Sequence, residues 1–345
     1  MVGRKLVYYG PHNIVLEDMA ELPPCDAGCL LVKVEAAAVC GSDIKAFNVG
    51  NPKMMPGRTM GHEFVGVVVK ADEVSGFREG DRVTMATTIG CGKCCYCAMG
   101  KSNLCPDSKA MGFLFDGALA SYVTIPRIAV ENGNVIRVQD DIPAEVLALC
   151  EPMSCVLNSL SRVPVEQIGS AVIIGLGALG MLHAIALREF GAKNIVCCDF
   201  PGKKKDLTGM LGFKTVVPEQ LDKCYLELSD GLGFELVAIT APSNDVQAKA
   251  PKLARKGGYV SYFASLPVSD EKITISSRTL HYNELSLFGT SDSTVEHVKS
   301  AVEMIGRQKN TISELITVLP FEEVISGIDG VLDMKYAKVV VKPNA

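Results

Sequence analysis

Short apolar runs broken by Gly, Pro and Asp dominate the first part of the chain. Leu30–Val34, Phe64–Val69, Arg82–Met85 and Ala120–Ile125 each read as a strand bounded by turn signals. They predict a mostly β domain with few long helices. From about Ala144 the period changes. Ala144–Leu160 reads as a helix, and strands then alternate with helices. Ala171–Ile174, Asn194–Cys198, Leu236–Thr240, Tyr259–Ala264 and Leu285–Gly289 read as strands. Leu179–Phe190 and Asp245–Arg255 read as helices between them. Such alternation predicts a parallel, doubly wound sheet. Near the C-terminus the pattern predicts helices at Val295–Gly306 and Phe321–Leu332 and a strand at Lys338–Lys342.

A chain of 345 residues exceeds what one core usually covers, so two domains are expected. With 48% hydrophobic and 21% charged residues the composition is that of a globular protein, not a disordered one. The formal net charge of -5 and the lack of a long basic run argue against nucleic acid as a partner. The N-terminal residues show no signal-peptide pattern. The near-apolar run Ala171–Leu187 contains Gly175, Gly177, Gly180 and His183, too polar and glycine-rich for a membrane span. A soluble, cytoplasmic protein is expected.

The thirteen cysteines change this picture. Cys91, Cys94, Cys97 and Cys105 fall within C-G-K-C-C-Y-C-A-M-G-K-S-N-L-C. Cys-x2-Cys turns bring thiolates close enough to share one tetrahedral metal, and four sulfurs close its shell. This predicts a structural zinc. Cys95 is left as a spare thiol, because using it would spoil the spacing. The remaining cysteines outside the lobe, apart from Cys40, are read as packing residues, since a free thiol behaves as a small hydrophobe.

Gly175-Leu-Gly177-Ala-Leu-Gly180 lies between a predicted strand and a predicted helix, and Asp199 ends the next strand. Strand, glycine turn, helix, strand and acid form a dinucleotide-binding fingerprint. The glycines permit a tight turn, close approach of a pyrophosphate and close helix packing. The helix N-terminus offers free N–H groups to the anion. Gly175, Gly177, Leu179, Gly180 and Asp199 are the cofactor-binding candidates. Asp199 would accept from the adenosine ribose hydroxyls and repel a 2′-phosphate, so NAD is favoured over NADP. Lys203–Lys205 act against that preference.

A second set of metal-ligand types is dispersed. Cys40 lies in V-C-G-S-D, His62 and Glu63 in M-G-H-E-F, and Glu151 in L-C-E-P-M. A thiolate, an imidazole and a carboxylate make a mixed set of three that leaves a fourth zinc position open.

Together these pieces resemble the zinc-dependent medium-chain dehydrogenases, in the branch of sorbitol, threonine and sugar-alcohol-phosphate dehydrogenases. The matching segments are C-G-S-D at Cys40–Asp43, G-H-E at Gly61–Glu63, the four-cysteine lobe and F-L-F-D-G-A-L-A-S-Y at Phe113–Tyr122. Glu151-Pro152, the glycine turn and H-Y-N-E-L-S-L-F-G at His281–Gly289 complete them. The resemblance implies a GroES-like catalytic domain over 1–155 and 291–345. It implies a Rossmann domain over 156–290, two zinc ions per chain and a homodimer or homotetramer. It places Cys40 and His62 on the catalytic zinc, with Glu63 and Glu151 both candidates for the third ligand. Adjacent strand residues point to opposite faces, so His62 and Glu63 both reach one ion only where the chain bends.

The implied reaction is hydride transfer between an alcohol or ketone and NAD(P), with Ser42 as first proton relay. Lys45 stands where some relatives carry a relay histidine. A phosphorylated substrate would need a cation such as Lys45, Arg58 or Arg278. A threonine-type amino alcohol is the alternative substrate, and a catalytically silent relative the alternative role.

Overall fold

A computed structural model describes residues 2–139 and 141–345. It divides into two compact units. One holds the residues up to Ser154 together with Asp292–Ala345, and the other is Cys155–Ser291.

The first unit is built on a seven-stranded sheet. Its path runs Val135–Arg137, Arg82–Met85, Glu63–Lys70, Leu30–Ala38, Lys338–Lys342, Ile316–Pro320, with Tyr122–Ile125 also paired to Leu30–Ala38. The central strand Leu30–Ala38 is buried on both faces over most of its length. Leu30, Val32, Val34, Phe64, Met60, Val83, Met85 and Ile125 form the core with Leu6 from the N-terminal strand Gly3–Gly10. Most of the pairs are antiparallel, which explains why the sequence shows short, turn-bounded runs.

The C-terminal strand Lys338–Lys342 closes onto this sheet antiparallel to Leu30–Ala38, with Val340 opposite Ala38. Its first residue therefore lies beside the end of that strand, where the chain turns into Val39 and Cys40. Glu63, opposite Ala38 on the other side, begins its own strand there. Three distant segments thus meet at one sheet end.

The second unit carries six parallel strands in the order Lys214–Val216, Asn194–Cys198, Ser170–Ile174, Phe234–Ile239, Ala254–Tyr262, Ser286–Gly289. This is the doubly wound order in which the chain runs outward from the first strand on one side through two βα units, then returns to run outward on the other. The central strands are buried on both faces, so they read as unbroken apolar runs such as A-V-I-I and I-V-C-C.

Two helices differ from expectation at prolines. Ala144–Leu160 is two helices, Ala144–Leu147 and Cys150–Leu160. Pro152 lies in the first turn of the second, where its missing N–H has no intrahelical role. The expected helix Asp245–Arg255 is Asn244–Lys249 followed by a 3-10 turn at Ala250–Lys252, because Pro251 cannot continue the ladder. The freed residues join the next strand from Ala254. The helix after Val295 runs on to Ser313.

Candidate active site and metal centres

Cys40 caps the helix Gly41–Val49. Its sulfur accepts from the Ser42 N–H at 3.5 Å, and the Asp43 carboxylate returns to accept the Cys40 N–H at 3.0 Å. This reciprocal cap fixes the thiol at the sheet end. Asp43 is fully buried and burial pushes its carboxyl up; its second oxygen has no partner among the described residues.

The bend that His62 and Glu63 require is supplied by Gly61, whose φ of 91° lies in the left-handed region. A side chain there would meet the Leu119 backbone N at 2.7 Å. After this kink His62 and Glu63 both turn to the same place. The sulfur of Cys40, a ring nitrogen of His62 and a carboxylate oxygen of Glu63 lie within 4.8 Å of one another. His62 is 7% exposed and Glu63 1%. The imidazole packs at 5.5 Å against the ring of Phe113, and its Nδ1 is buried with no partner among the described residues.

Desolvation pushes the Cys40 thiol up, partly offset by the nearby His62. Burial opposes charge on His62, yet the Cys40 sulfur and the Asp43 carboxylate together hold its imidazole well above the ordinary value. A borderline-soft divalent cation suits such a set: it takes S, N and O donors and replaces the proton that the imidazole otherwise draws in.

Glu151 is the second residue of its helix and only partly buried. Its charge reaches His62, but its carboxylate is not in the group that meets within 4.8 Å. Ser42 lies two residues after Cys40 with its hydroxyl oxygen buried and unpartnered among the described residues. Lys45 is exposed on the same helix. Arg58 pairs with Asp116 at 3.6 Å, and Arg278 stacks over the ring of Tyr282.

Two residues of this site escaped the sequence reading. Asp43 had a local signal, since C-x-x-D is a helix cap with the acid at its third helical position. Lys338 had none. Its ammonium forms an ion pair with Glu63 and donates to the Val39 carbonyl at 2.9 Å. Burial disfavours its charge, but Glu63 and Cys40 hold its pKa above the ordinary value.

Cys91, Cys94, Cys97 and Cys105 form a second group of ligand atoms within 4.8 Å. Cys94 and Cys97 sulfurs lie 3.6 Å apart, and the Cys91 N–H points at the Cys105 sulfur at 3.3 Å. Backbone N–H groups of Lys93 and Cys94 lower the Cys91 thiol to about 7. Cys95 is exposed and outside the group.

In the second unit the glycine turn follows the strand Ser170–Ile174. Gly175 has a φ of 103°, and an added side chain would meet the Ala241 N at 2.8 Å. At Gly180 it would collide with the Gly175 carbonyl. Both glycines are therefore demanded by the chain itself. Gly177 is different: a Cβ there would meet nothing within 4 Å. It caps the helix Ala178–Glu189 and opens on free space, as a ligand cradle would. Leu179 is partly buried in the first turn of that helix. Asp199 accepts the Leu176 N–H at 2.7 Å and the Phe200 N–H at 2.7 Å.

Comparisons with known proteins agree with this picture. Residues 26–134 match the alcohol dehydrogenase GroES-like domain. The L-threonine 3-dehydrogenase of Caldanaerobacter subterraneus subsp. tengcongensis is 27% identical over 94% of both chains. The erythritol/L-threitol dehydrogenase of Mycolicibacterium smegmatis is 29% identical over 74% of this chain and 75% of its own. Among solved structures, a zinc-binding dehydrogenase of Sinorhizobium meliloti bound to NADP is 26% identical and covers 99% of each chain with a TM-score of 0.89. With its thiolate–imidazole–carboxylate group, cysteine lobe and glycine turn, the chain carries an alcohol dehydrogenase GroES-like domain and is similar over nearly its whole length to zinc-binding and threonine-type dehydrogenases.

Proposed function

We propose that the protein transfers a hydride between a secondary alcohol and NAD(P), the alcohol being a polyol or sugar alcohol. The observation that carries this is the convergence of Cys40, His62 and Glu63 within 4.8 Å at a sheet end. When bound, zinc supplies a Lewis acid for the alcohol oxygen and the nicotinamide supplies the hydride acceptor. Cys40 and His62 hold the ion, with Glu63 or Glu151 completing the set. Asp43 fixes Cys40 through its backbone N–H. The Ser42 hydroxyl would relay the alcohol proton, its unpartnered oxygen accepting that proton while its own O–H proton passes on towards solvent or the cofactor ribose. The cysteine lobe holds a second zinc that stiffens the fold.

The second unit would take the dinucleotide pyrophosphate at Gly175–Gly180. Asp199, held by two backbone N–H groups, presents a fixed anion that favours a free ribose 2′-hydroxyl. NAD is therefore the preferred cofactor, against the pull of Lys203–Lys205. Of the candidate phosphate-binding cations, Arg58 and Arg278 are engaged elsewhere, whereas Lys45 is exposed on its helix. A threonine-type amino alcohol is the second reading, supported by the relative that aligns over 94% of both chains.

A homodimer or homotetramer is supported by the strand Ser286–Gly289, which among the described residues pairs only with Ala254–Tyr262 and leaves a free sheet edge. No described helix is long and apolar enough to cross a membrane. A cytoplasmic location fits the thirteen free cysteines.

The deciding experiment offers NAD or NADP with erythritol, sorbitol, xylitol, threonine and 2,3-butanediol and reads the absorbance of reduced nicotinamide. Turnover of a polyol with NAD supports the reading. Turnover of threonine alone selects the second, and no turnover with any alcohol, by protein carrying two zinc ions, sinks both.

A further inference from the structure

Among the described residues Lys338 is the one Lys or Arg that is fully buried, at 5% exposed. An ammonium in such a place is costly unless paired, and its charged partner is Glu63. The same carboxylate lies within 4.8 Å of the Cys40 sulfur and the His62 ring nitrogen. One buried carboxylate therefore stands between two cation positions, the ammonium and the ion that Cys40 and His62 would hold. The ammonium cannot drift away. Its strand is hydrogen-bonded in place, Val39 N–H donating to Val339 O at 3.0 Å, and its Nζ is tied to the Val39 carbonyl.

We infer that Lys338 is a positioning residue that would compete with a metal ion for Glu63, so that this carboxylate would be a weakly held ligand of an ion held by Cys40 and His62. This rests on the metal site proposed above and deepens it. No bond to carbon or hydrogen changes; only the partner of one carboxylate does. Without Lys338 the buried site gains a full negative charge and Glu63 has the metal as its sole counter-ion. Metal binding should then tighten, an outcome that simple loss of structure does not give.

The test uses the full chain with the Cys40-site ion removed by dialysis against a chelator, then titrated with Co²⁺ followed by its visible absorption, and with Zn²⁺ in competition with a chromophoric chelator. Lys338→Met is expected to bind about tenfold tighter or more, with shifted Co²⁺ bands as Glu63 becomes a fixed ligand. Lys338→Arg, which keeps the charge, should restore the weaker binding. In a Glu63→Gln background Lys338→Met should change nothing. Unchanged or weaker binding in Lys338→Met, or tightening that persists without the Glu63 carboxylate, overturns the inference. Should Lys338→Met fail to fold, Glu63→Gln alone decides. A loss of affinity under about tenfold marks a weakly held ligand, and a larger loss overturns the role given to Lys338. Wild-type protein that takes up metal only at the cysteine lobe overturns the site itself and this inference with it. Two ions with no tightening overturn the role of Lys338 alone.

Discussion

The Asp199 carboxylate accepts the backbone N–H of Leu176 at 2.7 Å, joining the end of one strand to the glycine turn of another. The acid thereby does two things. It pins the turn, and on the proposed cofactor reading it also presents a negative charge to the ribose.

Asp199→Asn keeps the shape and removes the charge. A hydrogen bond to a charged acceptor is worth about 1.5–3 kcal/mol, so NAD should lose roughly tenfold to a hundredfold in kcat/KM. NADP should lose less, because repulsion of its 2′-phosphate is relieved. Steady-state kinetics with both cofactors check this. Equal losses for the two would show that Asp199 serves the turn and not the ribose.

Cys40→Ser and His62→Ala should each lower kcat by about a thousandfold or more, since the Lewis acid is worth several kcal/mol. The far-ultraviolet circular dichroism should not change. Chelation of the ion should match these losses, and added Zn²⁺ should restore activity to wild type but not to the variants. Full activity in metal-free protein would remove the mechanism.

The contrast between Gly177 and Lys338 shows how far the sequence carries. Gly175–Gly180, the cysteine lobe and the strands Arg82–Met85, Asn194–Cys198 and Lys338–Lys342 are local patterns, and the chain forms them at the positions read. Local patterning also named Cys40, His62 and Glu63, and the fold brings these together. What it does not carry is register. Lys338 read as an ordinary strand residue, because its meeting with Glu63 depends on an antiparallel pairing between the two ends of the chain. The break between Leu147 and Cys150, just ahead of Pro152, and the helix end before Pro251 were missed for a smaller reason: apolar periodicity outweighed a backbone rule in the reading, whereas the backbone rule prevails in the fold.

The cysteine lobe should fail separately from the active site. Cys94→Ser removes one sulfur of a closed set, and metal analysis should fall from about two zinc per chain to about one. Structural zinc contributes folding free energy directly, so the thermal midpoint should fall as well. Freshly prepared variant should still turn over substrate, because Cys40, His62 and Glu63 form their own group. Cys95→Ser, by comparison, should leave both zinc content and midpoint unchanged, as Cys95 is exposed and outside the set.

His183 gives the protein an acid sensitivity unrelated to zinc. It is fully buried in the helix Ala178–Glu189, with Nδ1 at 2.8 Å from the Leu179 carbonyl and its ring edge-on to Phe263. Its Nε2 has no partner among the described residues. Burial therefore lowers its pKa from 6.5 to about 4. The unfolded chain binds this proton more readily, so the group's contribution is fully present above pH 6.5 and is lost as pH falls towards 4. Between about pH 7.5 and about pH 5 the loss is about 2 kcal/mol. His183→Leu removes the proton site while keeping an apolar side chain of similar size. Denaturant unfolding of both proteins at the two pH values should show the variant losing less stability on acidification by that amount. Zinc release at low pH affects both proteins alike and cancels in the comparison. Parallel losses would place the proton elsewhere and show that His183 has a partner for its charged form.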